Sequence, residues 1–436
     1  MAVSAPAARE ALAAIVGSAH VVSEPAALGG LAVDGATPRW AARPGSVEEM
    51  SRLLALCSRE GWSVAPRGSG SCLELGGPPA RVDLLLDCRR LDAIVEHIPE
   101  DMVATVGAGL SLAALGAALG RYRQRFPVDP MGGASRSVGG VLATGASGPL
   151  RFRYGQARDL LLGVRFVQAD GTITWGGSKV VKSVTGYDVP KLLAGSLGTL
   201  GVIVEATLRL HPMPPASGSW LLSFPAHAEA AAFVAAALDS TLQPERLVVV
   251  NAGALRAAAR PPAHAAVAVS VGSIAEAVQS QGGELARMGR EHGATVSDVP
   301  EDFWLELGAA LAGPVRLRLS GEPARLCRWL VEVERLAGEA SVPLSALGEA
   351  GSGALWVSLG GAEAGGAWLA RAVGTLREAL SAEGGSLVVE RAPRAVKDQL
   401  DVWGPIPVDS LAIMRRIKQE FDPSGILNPG RFVGGL

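Results

Sequence analysis

Four cysteines in 436 residues, Cys57, Cys72, Cys88 and Cys327, form no CxxC pair. That spacing excludes an encoded iron–sulfur cluster or zinc ribbon, and it leaves free thiols in a reducing compartment as the expectation. Histidine is equally sparse: His20, His97, His211, His227, His264 and His292 fall at no paired metal-ligand spacing, so no metal is expected. Aromatic residues make up only 5% of the chain. Neither sign of charge dominates, with 40 Lys and Arg against 42 Asp and Glu, a net charge of −2 and a pI near 6.4. No basic stripe for nucleic acid is present. No apolar run reaches the ~18 residues of a membrane-spanning helix. The N-terminus carries Arg9 and Glu10 within an apolar stretch and lacks a basic lead, which predicts an amphipathic helix over 6–16 rather than a signal peptide. A cytoplasmic protein is expected.

The chain has much hydrophobic material (48%) and 55 glycines. Its length predicts two or three domains. The glycines concentrate between Pro127 and Pro212, where they alternate with apolar runs of strand length. Glycine permits positive φ and close approach of other atoms. A glycine-rich segment that keeps strand patterns is therefore a set of tight turns packed on something flat or anionic.

Before it, Ser46 stands three residues ahead of Glu49, the capping-box spacing, and opens a helix that ends at Gly61. A short strand, 62–65, runs into Pro66-Arg67-Gly68-Ser69-Gly70-Ser71. Successive N–H groups in such a turn form an anion site, to which Arg67 and the serine hydroxyls add donors; an ordinary turn is the equal alternative. The loop lacks the third glycine and the following helix of a dinucleotide fingerprint, and no GK[ST] marks a P-loop. Strands are expected over 82–87 and 102–107 and a helix over 112–120. Val141 to Thr144 reads as a buried helical turn. Asp170-Gly171 signals a two-residue type I′ hairpin. Asp188 caps a short helix, and 202–210 alternates as a strand. His211-Pro212-Met213-Pro214-Pro215 marks a domain boundary. From 219 to 390, short strands alternate with helices, which predicts an antiparallel sheet backed by helices. The tail ends in a helix over 410–421 and the run 421–432, FDPSGILNPGRF.

Four features in this order, the PRGSGS loop at 66–71, the glycine-rich stretch at 132–155, GSLGTLGVI at 195–203 and FDPSGILNPGRF at 421–432, resemble the vanillyl-alcohol-oxidase-type (PCMH-type) FAD-linked oxidoreductases. The runs LATGASGPLRFRYGQARDLLLGVRFVQADG and KVVKSVTGYDVPKLLAGSLGTLGVI are similar to the branch that holds the FAD-binding subunits of bacterial glycolate oxidase. The resemblance implies an α+β protein in four parts. These are a lead-in over 1–34, a bipartite FAD-binding domain over 35–212, an α+β cap with an antiparallel sheet over 216–392, and a tail over 393–436 that returns to the FAD domain. It implies that Arg67, Gly68, Ser69, Gly70 and Ser71 bind the pyrophosphate. Ala134, Ser135, Ser137, Gly140, Thr144 and Gly145 would line pyrophosphate and flavin, Gly201, Val202 and Ile203 the adenine side, and Asn428 and Arg431 would close over the ring. Where some members attach FAD through a histidine, this chain has Ser71, with Cys72 adjacent, so non-covalent FAD is expected.

The family often places histidines in its C-terminal domain, and this chain departs from that pattern. The implied activity is oxidation of 2-hydroxy acids such as glycolate or D-lactate within a complex. A sister flavin subunit and an iron–sulfur subunit would be the partners, and through them the chain would meet the inner membrane. A self-sufficient FAD-linked dehydrogenase and a structural subunit with weak or absent FAD remain the alternatives. No catalytic base is assigned. Arg151, Arg153 and Arg158 are anion binders or surface ion pairs, and Lys182 is a cation beside the flavin or none. Tyr187 reads as a buried anchor, Trp403 as a cover for the flavin or packing for the tail, and Glu390-Arg391 as a charged strand end.

Overall fold

The computed structural model describes residues 5–180, 186–361 and 366–436. The first layer begins with α1 (Ala5–Val16), β1 (Val21–Val22), α2 (Pro25–Gly29), β2 (Trp40–Ala42), α3 (Val47–Glu60), β3 (Val64–Arg67) and β4 (Leu84–Asp87). The strands form a sheet in the order β1-β2-β4-β3, with β2 and β3 parallel to β4. The cap expected for α3 is present: Ser46 accepts from Glu49 N–H at 3.1 Å, and Gly61 ends the helix at φ 64°. The Glu49 carboxylate reaches Gly45 N–H, one residue earlier than in the standard box. Met50, Leu53, Leu54 and Cys57 bury one helix face against Leu84 and Leu86.

The second sheet is antiparallel throughout. It takes β5 (Ile94–Ile98) and β6 (Val103–Gly107), and then, beyond α4 (Leu112–Gly120), β7 (Gln124–Arg125), α5 (Val138–Thr144) and α6 (Arg151–Tyr154), it takes β8 (Leu161–Val167) and β9 (Ile173–Gly177). α7 (Val189–Leu193) leads into β10 (Val202–Arg209), and the order is β5-β6-β10-β8-β9. β11 (His211–Pro212) pairs with β7 instead of ending the fold there. The β8–β9 connection is a hairpin, but not of type I′. Only Gly171 takes positive φ, 91°; Gly171 N–H bonds Gln168 O, and the Asp170 carboxylate caps Thr172 N–H. A type I turn closed by a left-handed glycine is the result. Asp188 caps α7 as expected, accepting from Lys191 N–H. Tyr187 corrects its expectation: it is 96% exposed and anchors nothing.

The third sheet has eight antiparallel strands in the order β15-β12-β14-β13-β17-β18-β16-β19. In chain order they come with their helices as β12 (Ala216–Phe224), α8 (His227–Asp239), β13 (Arg246–Asn251), α9 (Ala252–Ala257), β14 (Ala265–Ser273), α10 (Ala275–Glu291), β15 (Thr295–Asp298), α11 (Phe303–Ala309), β16 (Val315–Ser320), α12 (Leu326–Glu339), β17 (Leu344–Glu349), β18 (Ala354–Leu359), α13 (Ala367–Ser381) and β19 (Ser386–Arg391). Leu247 and Val249 pack under α8, α10, α12 and α13, whereas Val248 and Val250 face α9, α11 and Met131. Both faces are therefore covered, and in β13, β14 and β18 buried residues follow one another without alternation, whereas β16 still alternates.

The tail, with α14 (Arg394–Lys397) and α15 (Val408–Phe421), crosses back to the first two sheets. Phe421 lies 6.1 Å from Phe166, and Leu427 forms a parallel bridge with Val64. The Asp422 carboxylate accepts from Ile426 and Leu427 N–H and from Lys418. No described helix is long and apolar enough to cross a membrane.

Candidate functional site

The loop after β3 leaves the C-terminal edge of a parallel strand pair and bends over the start of α5. A methyl group on Gly68 would stand 1.9 Å from Ser137 Oγ, and one on Gly70, at φ 84°, would meet Arg67 Nε at 2.8 Å. Glycine at these positions lets the loop close on the Ser137 and Arg67 side chains, and at Gly70 it also permits the positive φ. Ser137 caps α5 by accepting from Gly140 N–H at 3.3 Å. Loop and helix start enclose a narrow cavity of about 90 Å³, whose lining includes Arg67 to Ser71, Arg136, Gly140, Thr144, Leu197, Asn428 and Arg431.

Three guanidiniums line this cavity. Arg67 has Nε and Nη1 buried without partners, and burial lowers its pKa. Arg136 is 3% exposed; it donates to Met131 O, Cys72 Sγ and Thr144 Oγ1 at 2.7, 3.0 and 3.2 Å, and its Nε is unpartnered. Arg431 donates to the carbonyls of Leu73, Leu75 and Gly77 and lies 3.9 Å from Asp34; burial pulls its pKa down to about 10. Arg431 thus holds backbone, while Arg67 and Arg136 have no carboxylate within 4 Å among the described residues. Two cations with no carboxylate within 4 Å, beside a glycine loop, fit an anionic ligand, and the loop itself fits a diphosphate.

Two larger spaces adjoin. One of about 300 Å³ shares Arg136 and Thr144 with the narrow cavity and continues past Gly145 to Arg316, Arg318, Trp356, Glu390 and Trp403 of the eight-stranded half. The other, about 900 Å³, shares Ser71 and runs past Ala134 between α4 and α11. The three form one cleft between the halves of the molecule. Ion pairs cross it: Arg246, held within its own half by Glu301 at 3.1 Å, reaches Asp129 at 3.0 Å, Arg125 holds Glu245, and Arg151 lies 3.8 Å from Glu349. Glu390 is taken by Arg316 at 2.9 Å and Arg318 at 3.4 Å. Among the described residues no histidine lines the cleft, and no His, Cys, Asp and Glu cluster could hold a metal.

The fold brings most of the expected residues together. Arg67, Gly68, Ser69, Gly70, Ser71, Gly140, Thr144, Asn428 and Arg431 share the narrow cavity, Gly145 faces the second space and Ala134 the third. Ser137 lies buried beneath Gly68. Ser135 is exposed and lines none of the three. Gly201 packs on Phe166, Val202 and Ile203 point into apolar cores and pair with Val167 and Phe166 in the ladder, and none of the three lines the cleft. Leu197 and Gly198, just upstream, face the narrow cavity. Asn428 donates to Leu197 O at 2.6 Å. Trp403 bonds Arg431 O at 3.1 Å and meets Phe432 edge to face, which is tail packing at the cleft wall. Arg153 is exposed, Arg158 lies 3.9 Å from Asp159, and Lys179 pairs with Glu96. Lys182 lies outside the described residues. Arg136 joins the site without any sequence motif to mark it. The one available signal is an arginine set among small residues in ASRSVGG.

The profile described as "FAD binding domain" matches residues 38–177, and that of "FAD linked oxidases, C-terminal domain" matches 406–432. The chain is 30% identical to an uncharacterized FAD-linked oxidoreductase of Mycobacterium tuberculosis, over 91% of each chain. It is 29% identical to a D-2-hydroxyglutarate dehydrogenase of Xanthomonas citri pv. viticola, over 91% of this chain and 90% of that one. A shorter match, 34% over 185 residues, covers 41% of this chain and 39% of glycolate oxidase subunit GlcD of Bacillus subtilis. Among solved structures, p-cresol methylhydroxylase with substrate bound superposes with a TM-score of 0.77 at 16% identity, over 97% of this chain and 96% of that one.

Proposed function

The chain belongs to the FAD-linked oxidoreductases, and from that premise we propose that it is an FAD-binding subunit of a glycolate-oxidase-like complex, oxidising 2-hydroxy acids such as glycolate or D-lactate to 2-oxo acids. The reading takes residues 35–212 as the FAD domain, 216–392 as the cap and 393–436 as the returning tail. One observation carries the cofactor part: four separated sequence features meet at a single narrow cavity with two unmatched guanidiniums. Bound non-covalently, FAD supplies the two-electron acceptor.

In this reading the N–H groups of Gly68 to Ser71 and the Arg67 guanidinium hold the diphosphate. Ser137 positions α5 by capping it, and Thr144, Gly145 and Ala134 border the ring. Asn428 fixes the Leu197 carbonyl at the rim. The ion pairs across the cleft keep the cap closed over the cofactor and exclude water. Oxidising a hydroxy acid by loss of a hydride from its α-carbon also releases the hydroxyl proton, and taking that proton needs a base with a free lone pair. Of the carboxylates on the cleft wall, Asp129, Glu301 and Glu390 are each held by arginine, Asp302 is exposed, and no described histidine lines the cleft. That supports a base, and onward electron transfer, from partner subunits: a sister flavin subunit and an iron–sulfur subunit.

A self-sufficient dehydrogenase is the second reading, favoured by the full-length match to a relative named as a dehydrogenase without a subunit designation. The absorption spectrum of the chain purified alone, before and after anaerobic glycolate or D-lactate, separates them. Flavin bands that stay oxidised until partner subunits are added support the first reading. Bands that bleach with the acid alone favour the second. No flavin bands after FAD soaking overturn both. Gly70→Asp sets a carboxylate against the diphosphate and is expected to lower FAD affinity more than a hundredfold in a fluorescence titration.

A further inference from the structure

We infer that Arg136 supplies the fixed positive charge that stabilises the flavin in its reduced state and so sets its reduction potential, while Arg67 serves the diphosphate. The inference rests on the reading that FAD occupies the cleft. A buried cation without a counter-charge is costly, so its persistence asks for an anion that the described residues do not provide within 4 Å. Other cleft arginines have theirs: Arg246 has Asp129, Arg316 and Arg318 share Glu390, and Arg391 has Glu74.

The two unmatched guanidiniums occupy different places. Arg67 lines only the narrow cavity, beside the glycine loop. Arg136 stands where that cavity opens into the second space, with Thr144 beside it. Met131 O, Cys72 Sγ and Thr144 Oγ1 hold its terminal nitrogens, so the charge cannot swing out to solvent. Its Nε, buried and unpartnered, retains a donor. FAD carries two negative charges on its diphosphate, and its ring gains negative charge on reduction. The first pair belongs with the loop. A preset cation further along favours the reduced ring because no dipoles need to reorganise when the charge arrives.

The test uses the full-length protein loaded with FAD, as wild type, Arg136→Met and Arg136→Lys. Sulfite adds to oxidised flavin and leaves the ring anionic, so its dissociation constant reads charge near the ring without turnover. Arg136→Met is expected to keep FAD and to bind sulfite at least tenfold more weakly. Its two-electron midpoint should fall by about 30 mV for each tenfold. Arg136→Lys should restore most of both. If Arg136→Met proves unstable, Arg136→Gln removes the charge while keeping an N–H donor. Unchanged sulfite affinity and midpoint in a flavin-loaded neutral variant overturn the inference. So does a folded neutral variant that has lost FAD, because the guanidinium then serves the diphosphate. Wild-type protein that takes up no FAD overturns the functional reading beneath it, and that failure appears before any substitution is made.

Discussion

Lys397 has no exposed side-chain surface, yet it keeps its ammonium among Asp34 Oδ2 at 2.9 Å, Gly76 O at 3.3 Å and the Glu74 carbonyl. Together with Arg431 it ties down residues 73–77, the continuation of the glycine loop. Burial pulls its pKa below the ordinary 10.5, with the Asp34 carboxylate opposing. The folded chain therefore releases this proton at lower pH than the unfolded chain does. Its contribution to stability rises with pH through the window from the folded pKa up to 10.5. Lys397→Met leaves Asp34 buried without its closest cation, and about 3 kcal/mol should be lost in urea unfolding at neutral pH. The alkaline rise should flatten in the same variant. None of this is legible in the sequence, because Lys397 and Asp34 are 363 positions apart. The same limit explains the arginines. The motif around Arg431 marks it as a site residue, but that its guanidinium holds carbonyls rather than facing open cavity depends on partners more than 350 positions away. Arg136 has no motif to announce it.

Secondary elements are more readable, since their signals are local. The Ser46 cap, the Gly61 stop, the Asp188 cap and the α4 bounds follow from neighbours within four residues. Where the sequence falls short, the deciding partner lies elsewhere. β15 and β17 are short strands whose ladders are supplied by β12, and by β13 and β18. The residues of the β8–β9 turn are evident in the sequence but its type is not, because Gly171 answers to α3: Ser51 Oγ donates to its carbonyl at 2.5 Å. A methyl group at Gly171 would stand 2.5 Å from Ser51 O and 2.9 Å from Ala55 Cβ, on a backbone at φ 91°. Gly171→Ala should therefore destabilise the first half by about 2 to 3 kcal/mol through strain and lost docking. Urea unfolding followed by amide exchange checks this: β8, β9 and α3 should lose protection together, whereas β13 and β14 should keep theirs.

Across the whole molecule, the cofactor cleft is a meeting of segments that translation separates by hundreds of residues. β3 receives the tail on its open side, where Val64 N–H bonds Ile426 O and Asn428 N–H bonds Val64 O, each at 2.8 Å. Ile426 and Leu427 complete the core beneath α3. Gly77 N–H bonds Arg431 O at 2.9 Å, and a methyl group on Gly76 would meet that same oxygen at 2.3 Å. The glycine loop is thus held from below by its own strand and from the side by the last residues of the chain. The eight-stranded sheet has its own apolar cores on both faces, and neither includes a residue from 422–436. Deleting 422–436 should consequently separate two properties that a general loss of stability would move together. Amides of β3 and of the 66–77 segment should exchange at least a hundredfold faster, and FAD affinity should fall by a similar factor. Protection in β13, β14 and β18 should stay within a few-fold of the full chain. Loss of protection in all three sheets at once would mean that the tail anchors the entire molecule, and unchanged FAD affinity would remove the tail from the site.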